Sequence, residues 1–185
     1  MVYTIGHSTR EFPEFLGLLE SHGIRGVVDV RRYPASRRHP QYARAALEQT
    51  LTGAGIAYTH EGDLGGRRAP RPDSPNTAWR SLSFRGYADN MDAAPFQEAL
   101  ERVITLARQS AIAVMCAEAV PWRCHRQLIA DALVARGHEV RHILAADRAD
   151  AHRLTPFARV LPNGLLRYAA VPEQLDFSGP VDGER

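Results

Sequence analysis

Apolar positions fall along the chain in two alternating patterns: short β-branched runs, and longer stretches with apolar residues three and four apart. Val2 to Ile5, Val27 to Val30, Ile56 to Thr59, Ala111 to Cys116 and Val140 to Leu144 read as five strands. Between them the spacing predicts helices over about 11–22, 41–51, 95–109 and 122–135. Phe12, Phe15, Leu16 and Leu19 form the apolar stripe of the first helix, and Gly23 stops it. Ser8 and Glu11, three apart, resemble a capping box that would open it. Gly53 and Gly55 close the second helix, and Gly137 ends the fourth. The rhythm breaks over 61–92, where Gly62, Gly65, Gly66, Pro70, Pro72, Pro75 and Gly86 predict a long loop or lid. Pro156, Pro162, Pro172 and Pro180 punctuate the chain after the last strand; residues 161–185 read as a C-terminal tail, packed at first and frayed at its end. Strands alternating with helices imply one α/β domain over 1–160. It would have three layers: a mainly parallel five-stranded sheet with helices on both faces, and the long loop inserted after the third strand.

A chain of 185 residues is the size of one domain with a short arm. Apolar residues at 44% and charged residues at 24% suit a globular protein and exclude a coiled coil or a wholly disordered chain. No apolar run approaches the length of a membrane span, and the first residues lack the basic start and apolar core of a secretion signal. A cytoplasmic protein is therefore expected. The net charge of +2 is too small to imply a polyanion partner by itself. All 23 basic residues are arginine, so a Schiff-base lysine and a P-loop lysine are excluded. The two cysteines, in a reducing compartment, are free thiols, ligands or catalytic groups before they are a structural bridge.

In a parallel sheet the ligand sits beyond the carboxyl ends of the strands. The first strand ends at Gly6-His7-Ser8, and the second runs through Asp29-Val30-Arg31 to Pro34, Ser36 and Arg37. The fourth ends at Cys116, followed by Glu118, and the fourth helix would carry Cys124-His125-Arg126 in its first turn. All fall on one rim. A helix start favours a thiolate, and Arg123, His125 and Arg126 add positive charge beside Cys124. Asp29 lies in an apolar strand and needs a cation, which Arg31, Arg37 or Arg126 can supply. Glu118 and His7 are candidates for proton transfer, and the same residues also suit an anchor or a capped polar position. Leu64-Gly65-Gly66-Arg67-Arg68 can set backbone N–H groups and guanidinium forks against phosphate. No G-x-G-x-x-G follows the first strand, which argues against a dinucleotide site. His7, Cys116, Cys124 and His125 offer mixed metal ligands but no C-x2-C or H-x3-H spacing, so no metal site is assigned.

In order along the chain, Thr4-Ile5-Gly6-His7-Ser8, Asp29-Val30-Arg31 with Pro34-x-Ser36-Arg37, Leu64-Gly65-Gly66-Arg67, Cys116-x-Glu118 and Cys124-His125-Arg126 resemble the bacterial and archaeal family called domain of unknown function 488. The likeness runs from about residue 2 to residue 158 and takes in His152-x-Leu154-Thr155. It implies a compact α/β domain and a shared polar site; it does not name an activity, and it leaves the cofactor unknown.

Three functional readings are open. In the first, the protein is an enzyme with a pocket at the carboxyl rim for a small anionic, phosphate-bearing or nucleotide-like substrate. Cys124, Glu118, Asp29 and His7 would do the chemistry. Ser8, Arg31, Ser36, Arg37, Gly65, Gly66, Arg67, Cys116, His125 and Arg126 would bind the substrate. In the second, Arg67, Arg68, Arg71, Arg80 and Arg85, interleaved with Trp79, Phe84 and Tyr87, form a nucleic-acid surface. In the third, Cys116 and Cys124 serve as a thiol- or metal-dependent sensor.

Overall fold

The computed structural model describes residues 1–35 and 38–170. Strands β1 (Val2–Gly6), β2 (Gly26–Asp29), β3 (Ala57–His60), β4 (Ile112–Cys116), β5 (Val140–Ala145) and β6 (Arg148–Ala151) form one sheet in the order β3-β2-β4-β1-β5-β6. The first five run parallel, and β6 returns antiparallel on β5. A two-stranded ribbon, β7 (Arg159–Val160) with β8 (Leu166–Arg167), lies in the segment read as the end of the domain and a tail.

The layers follow from side-chain alternation. Along β4, Ile112, Val114 and Cys116 face one way and Ala113 and Met115 the other. On the first face pack helices α4 (Ala94–Gln109) and α5 (Arg126–Ala135), through Phe96, Leu100 and Val103 and through Leu128, Ile129 and Leu133. On the second pack α1 (Phe12–Ser21) and α2 (Arg44–Gly53), through Phe15, Leu18 and Leu19 and through Leu47 and Leu51. Burying each such side chain contributes about 1.5–3 kcal/mol, which makes these two clusters the main source of stability. Among the described residues no helix is long and apolar enough to cross a membrane.

Several expectations are corrected. The sheet has six strands rather than five, because β6 (Arg-Ala-Asp-Ala) is a polar, half-exposed edge strand with no apolar run to mark it. The segment 61–92 is not one loop: it holds a helical turn at Gly62–Leu64 and a nine-residue helix, α3 (Leu82–Asn90). Asp89 of α3 ties down the preceding stretch by accepting bonds from Arg71 N, Ser74 Oγ and Asn76 Nδ2. Helix α1 opens without a capping box, at Glu11 with Pro13 in its first turn. Helix α5 starts at Arg126 rather than Trp122, since Pro121–Arg123 make a separate turn of 3-10 helix. Cys124 is therefore extended backbone before the helix, not part of its first turn. The segment 161–185, read as a tail packed at first, holds β8 and the fully buried Tyr168; residues 171–185, where that reading put a frayed end, lie outside the described residues.

Candidate active site at the carboxyl rim

Neighbouring strands β1 and β4 send their helices to opposite faces of the sheet, α1 to one and α5 to the other. That divergence opens a crevice beyond the strand ends. A cleft of about 870 Å³ occupies this rim. His7 to Thr9 after β1, Arg31 to Tyr33 after β2 and Cys116 to Ala119 after β4 line it, joined by Gly66, Arg67, α3 and Arg123 to His125.

The floor is a pair of thiols. Cys116 ends β4 and Cys124 precedes α5; both are buried, and their sulfurs lie 2.6 Å apart. The guanidinium of Arg126 sits behind them, 1% exposed. Its Nε donates to Cys116 Sγ at 3.0 Å, Nη2 to the carbonyls of Glu118 (2.5 Å) and Ala119 (3.3 Å), and Nη1 to Thr4 Oγ1 (3.3 Å). Among the described residues no carboxylate pairs with this buried cation. Its nearest source of negative charge is the cysteine pair, so the cation favours one thiolate there. Burial raises the Cys124 thiol, but a hydrogen bond from Cys116 and the Arg126 charge outweigh it and bring it down to about 7. Cys116 moves up, through burial and through the bond it gives Cys124. The pair thus loses its first proton easily and holds its second. His125 Nδ1 lies 3.5 Å from Cys124 Sγ, and its Nε2–H donates to the Val30 carbonyl at 3.3 Å. Burial lowers His125's pKa, so the ring is neutral at neutral pH.

Behind Arg126 runs a chain of hydrogen bonds with one consistent direction. The Thr4 hydroxyl donates to His142 Nδ1 (2.7 Å), His142 Nε2–H to His152 Nδ1 (3.0 Å), and His152 Nε2–H to Asp131 Oδ1 (2.9 Å). Asp131, fully buried, also accepts from Thr155 N, Thr155 Oγ1 and Tyr168 OH. A cation at one end and a carboxylate at the other polarise the wire between them. Burial first, then the neighbouring His152 and Arg126, push His142 down to about 4, so its own ring is neutral at neutral pH.

Asp29 and Arg31 form a second unit. Arg31 Nε lies 2.9 and 3.1 Å from the two Asp29 oxygens, Nη2 donates at 2.5 Å, and Tyr58 OH donates to the same carboxylate at 2.8 Å. Asp29 is fully buried and is not part of the cleft lining; it aims Arg31 into the cleft. Arg31 Nη1 then donates to His7 Nε2 at 3.3 Å. His7 stacks on Tyr42 and donates from Nδ1 to the Ser8 carbonyl at 2.9 Å. Burial and the Arg31 charge push it down to about 4, so it presents a neutral ring.

The walls are basic. Arg32, Arg38, Arg67 and Arg123 line the cleft and make no ion pair among the described residues, while Glu118 is the one carboxylate on the described lining. Two non-glycine residues of the lining hold left-handed backbone, Ser8 at φ 52° and Arg67 at φ 61°. Such conformations concentrate at ligand sites. Two glycines permit close approaches: a Cβ on Gly6 would stand 1.7 Å from the Glu118 carbonyl, and one on Gly66 3.0 Å from His125 Nδ1.

Of the predicted residues, His7, Ser8, Arg31, Gly66, Arg67, Cys116, Glu118, Cys124 and His125 line the cleft. Asp29, Gly65 and Arg126 stand behind its wall, Gly65 packed on the Arg32 backbone. Ser36 and Arg37 lie outside the described residues. Sequence reasoning missed Arg32, Arg38 and Ser83, and it assigned Phe84 and Tyr87 of α3 to a nucleic-acid surface rather than to this cleft. Phe84, Tyr87, Ala88 and Met91, at i, i+3, i+4 and i+7, were the signal for that helix. Tyr87 and Trp79, read as stacking partners for bases, point inward. Tyr87 OH donates to the Leu64 carbonyl, and Trp79 packs on Phe84, Phe157 and Tyr168. Among the described residues no three His, Cys, Asp or Glu group as a metal site requires.

Fold and cleft define a class: a three-layer α/β domain with a dithiol floor and an arginine-lined mouth at the carboxyl rim. The chain belongs to the family described as domain of unknown function DUF488, whose model matches residues 11–133. That span takes in Asp29 through Arg126, and leaves His7, Ser8 and the Thr4–His142–His152 wire outside. No curated protein and no solved structure matches the chain.

Proposed function

We propose that this protein is an enzyme that binds a small anionic, phosphate-bearing or nucleotide-like substrate in the rim cleft and attacks it with the Cys124 thiolate. One observation carries the reading: arginines without an ion pair outnumber carboxylates on the described lining of a cleft whose floor holds a thiol tuned to about 7. Arg31, oriented by Asp29, and the forks of Arg32, Arg67 and Arg123 are suited to bidentate contacts with phosphate or carboxylate oxygens. Cys124 is the nucleophile, because it is the lower of the two thiols. Arg126 holds its negative charge. Glu118, exposed at the rim, is the group placed to exchange protons with a leaving group and solvent.

A thermal-shift panel of the reduced protein tests this. Inorganic phosphate, nucleotides and sugar phosphates should raise Tm in a saturable way, and uncharged nucleosides and sugars should not. Salt should weaken the effect. Equal shifts from charged and uncharged members would overturn the reading. A rise confined to oligonucleotides would transfer it to nucleic acid. Turnover of the selected ligand should vanish in Cys124→Ser and persist in Trp122→Ala.

A further inference from the structure

We propose that Cys116 and Cys124 form a redox pair that reduces an anionic disulfide held by the cleft arginines. The inference rests on the anion-binding reading and adds a reaction and a substrate class to it. Its basis is the position of Cys116. A thiolate that only relays a group to water needs water as its nearest second nucleophile. Here that place is taken: Cys116 Sγ lies 2.6 Å from Cys124 Sγ, from a different element, with both side chains lining the same cleft. Any adduct formed on Cys124 therefore meets a second sulfur first. The two sulfurs are within reach of one another, as thiol–disulfide exchange between them requires. Cys124 is the more acidic of the two thiols, so it is the one that carries the charge once the pair has lost a proton.

The substrate class follows from the walls. A cleft of about 870 Å³ has room for an organic molecule rather than a lone inorganic ion. Its arginines favour a molecule bearing carboxylates or phosphates. An electrophile that a thiolate opens and a neighbouring thiol resolves is a disulfide. Cys124 Sγ attacks one sulfur of the substrate; the substrate S–S bond breaks and the first half leaves as a thiolate. Cys116 Sγ then attacks Cys124 Sγ. The Cys124–substrate bond breaks and the second half departs, with the Cys116 proton going to one of the two leaving thiolates. Two electrons pass from the cysteines to the substrate, giving one substrate thiol, one substrate thiolate and one protein disulfide. A cellular thiol must return the pair to its reduced form.

The test uses the full reduced chain and three disulfides of different charge: oxidised glutathione (anionic), bis(2-hydroxyethyl) disulfide (neutral) and cystamine (cationic). Free thiols are counted after denaturation, and the bridge is located by peptide mass. Oxidised glutathione should close a Cys116–Cys124 bridge about tenfold or more faster than cystamine at low salt, with the gap narrowing as salt screens the arginines. Cys116→Ser should accumulate a mixed disulfide on Cys124, and Cys124→Ser should acquire none. Three results would overturn the proposal: no bridge with any disulfide, equal rates for anionic and cationic ones, or no trapped adduct in Cys116→Ser. Because phosphate and nucleotide binding are measured separately by Tm, redox failure with intact anion shifts removes this inference alone. Loss of both removes the anion reading as well. The wild-type thiol count needs no variant to fold.

Discussion

Arg126 shows how much a single residue decides here. It is a nearly inaccessible cation whose partners are two sulfurs, a hydroxyl and two carbonyls. Its fork reaches the Cys116 sulfur, the hydroxyl and both carbonyls, while its backbone N–H donates to Cys124 Sγ; an ammonium cannot span those four side-chain partners. In the wild type, the alkylation rate of Cys124 should rise with pH to a midpoint of about 7. Arg126→Lys should shift that midpoint upward, toward the ordinary thiol range, in iodoacetamide rate–pH profiles. An unchanged midpoint would show that Arg126 does not hold the thiolate. Gly6 is decisive for the opposite reason, since it must have no side chain. A Cβ there collides with the Glu118 backbone, which cannot yield as a flexible side chain would. Gly6→Ala should cost about 1–3 kcal/mol in urea unfolding, the range of an overpacked site. Both identities stand in the sequence, but their reasons do not, because Gly6 and Glu118 are far apart along the chain.

Elements matter through the side chains they bring together. Strands β1 and β5 pair Thr4 with His142, and β6 adds the turn that places His152 against Asp131 of α5. Thr4→Val removes both the acceptor for Arg126 and the donor to His142. It should raise the Cys124 alkylation midpoint, while Thr4→Ser, which keeps the hydroxyl, should restore it. His7 and His142 also set a pH dependence. Both are pushed down from 6.5 to about 4, so between these values the unfolded chain binds protons that the folded one does not. Stability is full above pH 6.5 and falls as pH drops through that window toward 4. Thermal melts should show this slope, and His142→Gln should flatten it. Strand and helix positions were largely legible because periodic burial is local. β6 was not, because an edge strand buries too little to leave an apolar run. Helix α3 was legible in its apolar spacing but masked by the glycines and prolines around it.

At the scale of the whole molecule, sheet order gathers the site. Strand β4 inserts between β2 and β1, so three strand ends that are distant in sequence converge, and 61–92 folds over them as α3 and its flanking turns. The result concentrates positive charge in a chain of nearly balanced net charge. Replacing Arg32, Arg67 and Arg123 together with serine should leave the Tm of the free protein within about 2 °C, since charges without an ion pair at the surface contribute little to stability. The same variant should lose the Tm rise given by anionic ligands. A large fall in the free Tm would mean that these arginines serve the fold instead.

The sequence by itself determined the alternation of strands and helices, the three layers, and which polar residues end each strand. Those depend on apolar period and on the residues adjacent to each run, which are local properties. It also named Arg31 among the cations that could pair with Asp29, two positions away. The tertiary structure alone decided that Cys116 meets Cys124, that Arg126 faces them and not Asp29, and that Asp131 balances it from the far end of the wire. Such pairings rest on strand order and register, and on how α5 is entered. Contacts between distant positions are set by the packing of the whole sheet, and no local period encodes them.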